Sequence, residues 1–339
     1  MGTAGLSFAV EKIQQIGAPS HTAVTADKFE NFKLFAQYSA AAYCDVNNDS
    51  RLGNISCTTN QASACPSVES AAAETVLEFR NNADDTRGYI AADHTNSQVV
   101  LAFRGSQSIQ NWVTNFKPGL INSNLCAGCK LHKGFSTAWE GVQQDIISVI
   151  KNMKQKYPSY KFIVTGHSLG GALATIAGAH LRKVENIPCD IYTYGSPRVG
   201  NDKFAELVSE TVLGDTARIT HLNDVVPLVP GPRLPIPRFY GYQHTSPEYW
   251  LFTGEATTTS YTRDDIKVCH GTDTNKCSGS FRFDRVQLLK GIEAHGYYFV
   301  KLGSCAARQG KDAGQDERWS DAELQALEKQ LEDYMQRDN

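Results

Sequence analysis

Apolar residues along this 339-residue chain alternate between two spacings, one of about 3.6 residues and one of short continuous runs. Phe29, Phe32, Phe35, Ala36, Ala40 and Tyr43 recur at helical spacing and predict a helix over 29–43 that ends near Cys44. After a polar stretch to about residue 70, strands are predicted at Thr75–Phe79, Thr86–Ala92 and Gln98–Phe103. Phe135, Trp139, Val142, Ile146, Val149, Ile150 and Met153 then mark one long amphipathic helix over 134–157, stopped by Pro158. A buried strand at Phe162–Val164 leads through glycines into a helix carrying Leu173, Ile176 and Ala177. A strand at Ile191–Tyr194, a helix around Lys203–Val212 and a strand over 217–224 follow, then a proline-rich loop over 227–237. Gln243–Phe252 and Ile266–Val268 read as later strands. This alternation predicts an α/β fold with a mostly parallel central sheet and helices on both faces.

Two amphipathic stretches stand apart from that alternation. Ile109, Trp112, Val113 and Phe116 fall at i, i+3, i+4 and i+7 between Gly105 and Pro118. A helix of about ten residues is marginal alone in water, so it must dock on something. Core packing and a lid over a pocket are both open from the pattern. Lifting such a lid would expose four large side chains, at roughly 1.5 to 3 kcal/mol each in water, a cost that a lipid surface largely removes. Near the C-terminus, a polar, linker-like stretch over 306–319 precedes a capping box, Ser320-Asp-Ala-Glu323, and a face of Leu324, Leu327, Leu331 and Tyr334. This predicts a C-terminal helical extension packed on the domain surface. Residues 1–25 show little periodicity and read as an arm or pro-segment, leaving one main domain over 26–305.

Composition narrows the class. With 33 basic and 36 acidic residues, net charge is −3, and nothing in it calls for a nucleic-acid partner. No apolar run approaches the ~18 to 20 residues that span a bilayer. The first twenty residues have only the apolar patch Leu6–Val10, without the basic start and long apolar run of a secretory leader. Among nine cysteines, three close pairs (Cys57 and Cys65, Cys126 and Cys129, Cys269 and Cys277) stand in polar loops, the pattern of an oxidising compartment. Cys126-x-x-Cys129 lacks the second pair that a zinc site needs. Asn48-Asp-Ser50 and Asn54-Ile-Ser56 are glycosylation sequons, consistent with secretion. Cys189 is the expected unpaired cysteine, a small buried hydrophobe.

The chemistry begins at Gly166-His-Ser-Leu-Gly170. Placed between a predicted strand and a predicted helix, it fits the G-x-S-x-G elbow, in which a sharp turn presents a serine at a helix N-terminus. A serine hydroxyl needs an imidazole to take its proton, and that imidazole needs a carboxylate. Asp224, at the end of a predicted strand after the elbow, is the leading acid. Asp190 precedes its strand, and Asp202 and Asp215 read as helix-end or turn residues. His244, His270 and His295 all remain as bases, with His295 ahead by position. His167, next to the serine, must point elsewhere and reads as structural. The Leu169 N–H and a donor from Gly105-Ser106, after the third strand, would stabilise an oxyanion at roughly 2.7 to 4 kcal/mol each.

These residues resemble the filamentous-fungal class 3 lipases, the Rhizomucor and Thermomyces type, and especially their Fusarium/Gibberella members. The carriers are Ala42-Tyr-Cys44, Phe103-Arg-Gly-Ser-Gln-Ser-Ile-Gln-Asn-Trp112, His132-Lys-Gly-Phe135, Gly166 to Gly171, Tyr192 to Gly200, Arg218 to Pro227 and Ala294-His295. The resemblance spans about 25–305 and implies the α/β-hydrolase fold. It implies Ser168 as nucleophile, Asp224 as acid, His295 as base, oxyanion donors at Ser106 and Leu169, and a lid over roughly 107–117 bearing Trp112. Tyr43 matches a tyrosine lining the family's site. The family's pairing also implies disulfides Cys44–Cys305, Cys57–Cys65 and Cys126–Cys129, whereas Cys269–Cys277 lies outside the best-known framework. The expected activity is that of a secreted, monomeric triacylglycerol lipase acting at lipid–water interfaces without cofactor or metal. A mono- or diacylglycerol lipase, a phospholipase A1, a feruloyl esterase and a lipid-binding module with a dead triad are the alternatives. The apolar face of the lid stretch argues against the feruloyl esterase, and the intact triad against the dead module.

Overall fold

The computed structural model describes residues 24–48, 52–57, 63–108, 117, 119–230, 241–271, 276–280 and 285–305, with a few positions between 320 and 329. Helices α1 (Ala26–Ala41) and α2 (Pro66–Ser70) precede strands β1 (Glu74–Asn81), β2 (Thr86–Asp93) and β3 (Gln98–Phe103). Short strands β4 (Leu120–Asn122) and β5 (Lys130–His132) lead to helices α3 (Lys133–Glu140) and α4 (Gln143–Lys156). Next come β6 (Lys161–His167), α5 (Leu169–Lys183), β7 (Asp190–Tyr194), β8 (Gly200–Asn201), α6 (Asp202–Ser209) and β9 (Thr216–His221). The chain continues through β10 (Tyr242–Gln243), β11 (Glu248–Leu251) and β12 (Ile266–Cys269) to α7 (Arg285–His295), β13 (Tyr297–Tyr298) and β14 (Val300–Lys301).

Eight strands form the main sheet in the order β1-β2-β3-β6-β7-β9-β11-β12. The five from β3 to β11 run parallel, and antiparallel pairs close both edges. Side-chain alternation sorts the strands onto two cores. Val99, Leu101 and Phe103 of β3 face α3, α4 and α5, while Val100 and Ala102 face α1. Helix α1 starts at Thr25, whose hydroxyl accepts the Lys28 N–H, and buries Phe29, Phe32, Phe35 and Ala36. Each fully buried phenylalanine there contributes roughly 1.5 to 3 kcal/mol.

Three elements differ from the pattern reading. The long helix over 134–157 is two helices, because the ladder closes at Gly141 and Val142, whose N–H groups bond Thr137 and Trp139 carbonyls. Gly141, a poor helix former, marks the break, and α4 then turns to pack beneath β1. The run 243–252 is also divided: β10 joins a second sheet, β10-β8-β5-β4, and only β11 joins the main one. That second sheet is built of strands of two or three residues, too short for any periodicity to show. Third, a helix ending on His295, α7, is not marked by the pattern, because it is only weakly amphipathic: Leu288 is buried while Leu289 stays exposed. Ile109, Trp112, Val113 and Phe116, expected in a lid, and most of the C-terminal stretch lie outside the described residues; within that stretch Leu324 is buried and its N–H bonds the Ser320 carbonyl.

All four disulfides form, Cys44–Cys305, Cys57–Cys65, Cys126–Cys129 and Cys269–Cys277, and Cys189 is free and buried. The first spans 261 residues, and the chain-entropy account assigns a loop that long about 5 kcal/mol. Replacing both Cys44 and Cys305 by serine is therefore expected to lower unfolding free energy by about 2 to 5 kcal/mol in urea titration. A midpoint unchanged from the parent would show that the bridge contributes nothing to global stability.

Candidate active site

Four parallel strand ends converge on one edge of the sheet. Register pairs Phe103 with Gly166 and His167 with Tyr194, so the segments leaving β3, β6 and β7 lie side by side. Ser168 stands alone between β6 and α5, with φ 58° and ψ −129°. A non-glycine residue in that region is strained, at about 1 to 3 kcal/mol. Its N–H bonds the Tyr194 carbonyl at 2.9 Å, which anchors the turn to the neighbouring strand. The next residue, Leu169, is the first of α5, and its N–H has no carbonyl four residues back within the helix. The segment 104–106 presses on the turn closely enough that a Cβ at Gly105 would stand 2.7 Å from the His167 carbonyl and 3.1 Å from Ser168 Cβ. Ser106 follows at the root of the lid stretch.

Asp224 comes from the turn after β9 and His295 from the last residue of α7. His295 Nδ1 lies 2.8 and 2.9 Å from the two Asp224 carboxylate oxygens. Tyr298 donates its hydroxyl to Asp224 Oδ2 and the Val226 N–H donates to Oδ1, so the carboxylate is fully engaged in a dry setting. Gly195, at φ +55°, passes this pair so closely that a Cβ would stand 2.7 Å from Asp224 Oδ2 and 3.0 Å from His295 Cε1. Ser168 Oγ and His295 Nε2 are both buried, and neither has a hydrogen-bond partner among the described residues. Buried polar atoms without partners are uncommon and cluster where chemistry needs them free. The other candidate bases fall away: His244 is buried with Nε2 donating to the Pro227 carbonyl, and His270 is exposed on a loop.

His167 turns behind the serine, as its neighbour position requires. Its Nε2–H donates to the His295 carbonyl at 2.8 Å, and its Nδ1 accepts from the Tyr43 hydroxyl at 2.8 Å. Burial holds its pKa well below the ordinary histidine value, so the ring is neutral. The Tyr43 hydroxyl thus sits between the 104–106 segment and the elbow, at the back of the site, where burial raises its pKa. Tyr298, Val226 and Gly195 carried no signal in the sequence beyond ordinary turn and apolar residues. As for metals, the sulfurs of Cys44, Cys57 and Cys305 lie within 4.8 Å of one another, but all are locked in disulfides and supply no thiolate.

A strained serine with a free hydroxyl at a helix start and an aspartate-bound imidazole on one sheet edge define a serine ester hydrolase of the α/β-hydrolase fold. The sequence matches the class 3 lipase family over 100–234 and the lipase 3 N-terminal region over 3–77. It is 42% identical over 284 residues to a Fusarium solani protein named secreted mono- and diacylglycerol lipase 1, covering 84% of this chain and 79% of that one. It is 39% identical to the Penicillium camembertii secreted mono- and diacylglycerol lipase A, covering 82% and 87%. Among solved structures, the Aspergillus oryzae mono- and diacylglycerol lipase superposes with a TM-score of 0.71 at 35% identity, over 82% of this chain and 98% of that one. The Rhizomucor miehei triacylglyceride lipase gives 0.67 at 26% identity, over 84% and 98%. The chain belongs to the class 3 lipase family.

His132 joins β5 to α3. Its Nδ1 accepts the Phe135 N–H at 3.3 Å and its Nε2–H donates to the Lys117 carbonyl at 3.1 Å. Burial pulls its pKa down to about 4. The folded state therefore binds fewer protons than the unfolded state, in which histidine titrates near 6.5. Its contribution is fully present above about pH 6.5 and is lost as pH falls toward 4, by at most about 3 kcal/mol. Urea unfolding of His132→Asn and the parent at pH 7, 5.5 and 4 should show their stability gap closing with acid. A gap constant across that range would show that His132 is not the titrating group.

Proposed function

We propose that the protein is a secreted acylglycerol lipase that works through an acyl-enzyme on Ser168. The observation that carries this reading is the convergence of a strained Ser168, a free His295 Nε2 and a fully bonded Asp224 in one water-excluded spot. His295 Nε2 takes the Ser168 proton as Oγ attacks the ester carbonyl, and Asp224 stabilises the imidazolium through Nδ1. The Leu169 N–H and Ser106 receive the oxyanion. His295 then passes its proton to the leaving alcohol, and a water activated by the same imidazole releases the fatty acid. The stretch 107–117, rooted beside Ser106, is the lid, with Ile109, Trp112, Val113 and Phe116 as its lipid-facing side and Tyr43 backing the pocket. Residues 26–305 form the lipase domain, with 1–25 as an arm or pro-segment and 306–339 as linker and helix. Among the described residues no helix is long and apolar enough to cross a membrane, which fits peripheral contact with lipid. Four disulfides fit an oxidising, extracellular setting.

Triacylglycerol is the substrate that the apolar lid pattern favours. A restriction to mono- and diacylglycerols is favoured by the names of the relatives at 42% and 39% identity. Of the two sequons, Asn54 is exposed, whereas Asn48 is buried and donates its amide to the Ala42 and Cys44 carbonyls. Asn54 is the site that has room for a glycan.

Ser168→Ala is expected to lower kcat on a soluble short-chain ester by about 10⁴-fold or more with melting unchanged, and substantial residual turnover would sink the assignment. Rates on tri-, di- and monoacylglycerol emulsions separate the two substrate readings: comparable triacylglycerol turnover supports the first, and its absence the second. Replacing Trp112 and Phe116 by serine should depress emulsion activity several-fold more than soluble-ester activity. Equal losses on both would place that stretch in the core.

A further inference from the structure

Helix α7 ends on the proposed base, and its last carbonyls have no partners inside the helix. Ala294 and His295 are buried, so water does not reach their carbonyls, and each must find another donor. Two buried imidazoles supply them. His167 takes the His295 carbonyl, and His221 Nδ1–H takes the Ala294 carbonyl at 2.9 Å. A carbonyl only accepts, so the proton on His221 sits on Nδ1. Its other nitrogen, Nε2, faces the Tyr261 hydroxyl at 2.7 Å, and that hydroxyl also lies 3.0 Å from the Thr258 carbonyl. The ring is packed edge-on between Tyr261 and Tyr298. His221 has no exposed surface, so its rotation is fixed by these contacts.

The place of His221 in the chain gives this contact its meaning. It is the last residue of β9, and its own carbonyl accepts the Asp224 N–H at 2.9 Å, which shapes the turn carrying the acid. Its side chain grips the helix carrying the base. One residue therefore ties the Asp224 turn to the His295 helix end, across 73 positions of sequence. We infer that His221, held in rotation by the Tyr261 hydroxyl, is a positioning residue that sets the Asp224–His295 contact. This rests on the reading of His295 as general base. His221 touches neither substrate nor reacting atoms; it acts through the backbone of Ala294 and the next residue's ring.

The experiment measures kcat and KM on a soluble short-chain ester for His221→Asn, His221→Leu, Tyr261→Phe and His295→Ala in the full-length chain, with circular dichroism and melting beside each. Asparagine keeps a donor near the Nδ1 position, and leucine has none. Since a misplacement of about 1 Å costs on the order of 100-fold, His221→Leu should lose about 10- to 100-fold in kcat with KM within about twofold. His221→Asn should recover to within about fivefold of the parent, and Tyr261→Phe, which removes only the brace, should fall about threefold in kcat without a change in melting. Equal losses in folded Asn and Leu variants overturn the inference, because packing alone would then explain both. If leucine prevents folding, an unchanged kcat in Tyr261→Phe together with a loss in His221→Asn as large as in His295→Ala overturns it. His295→Ala separates the levels: full turnover there removes the base reading and this inference together. An inactive His295→Ala beside a parent-like, folded His221→Leu removes only the role of His221.

Discussion

The turn between β6 and α5 is the constraint on which the remaining architecture depends. It holds Ser168 in a backbone conformation that a serine adopts at a cost of about 1 to 3 kcal/mol, and such strain persists only where surroundings over-determine it. Those surroundings are the parallel strands on either side. Phe103 and Tyr194 flank the turn in register, and the Tyr194 carbonyl receives the Ser168 N–H. The buried rows of β3, β6 and β7 on both faces of the sheet keep those strands from yielding. Packing energy spread over two cores is thus converted into the fixed direction of one hydroxyl.

Behind that hydroxyl, polar groups are satisfied with few charges. Asp224 meets a tyrosine hydroxyl, a backbone N–H and the His295 ring, and the neighbouring imidazoles are held neutral by burial. Neutral rings donate to carbonyls at the end of α7 without adding a positive charge next to the one the reaction creates. Extra cations there would oppose formation of the imidazolium. Against that background Ser168 Oγ and His295 Nε2 are buried without partners among the described residues, and they are the pair between which the proposed mechanism moves a proton.

Much of this was legible in the chain. The central strands carried continuous apolar runs because both faces of the sheet are covered, and β3 begins and ends where the pattern put it. The positions of Ser168, Asp224 and the segment after β3 on one sheet edge were readable because each lies at the end of such a run. His295 was not separable from His244 and His270 by pattern, since its distinction is a contact made 71 residues away from its partner. The resemblance to known lipases singled it out, and the geometry brings it to Asp224. The second sheet, the break at Gly141 and the helix α7 escaped for different reasons: strands too short to show a period, a helix pattern that stayed in phase across a bend, and an apolar face too narrow to register. Tyr261 and Tyr298 were invisible as site residues, because a tyrosine in a turn or an apolar run reads as packing until its hydroxyl has a partner.

The order in which the pieces occur along the chain also governs when the site exists. The residues proposed as serine, acid and base stand at 168, 224 and 295, and the bridge at Cys305 follows ten residues after the last of them. The strands β3, β6 and β7 that hold Ser168 all precede His295 by more than ninety residues. On the proposed assignment the site is complete only once α7, the last of its pieces in the chain, has docked behind the serine.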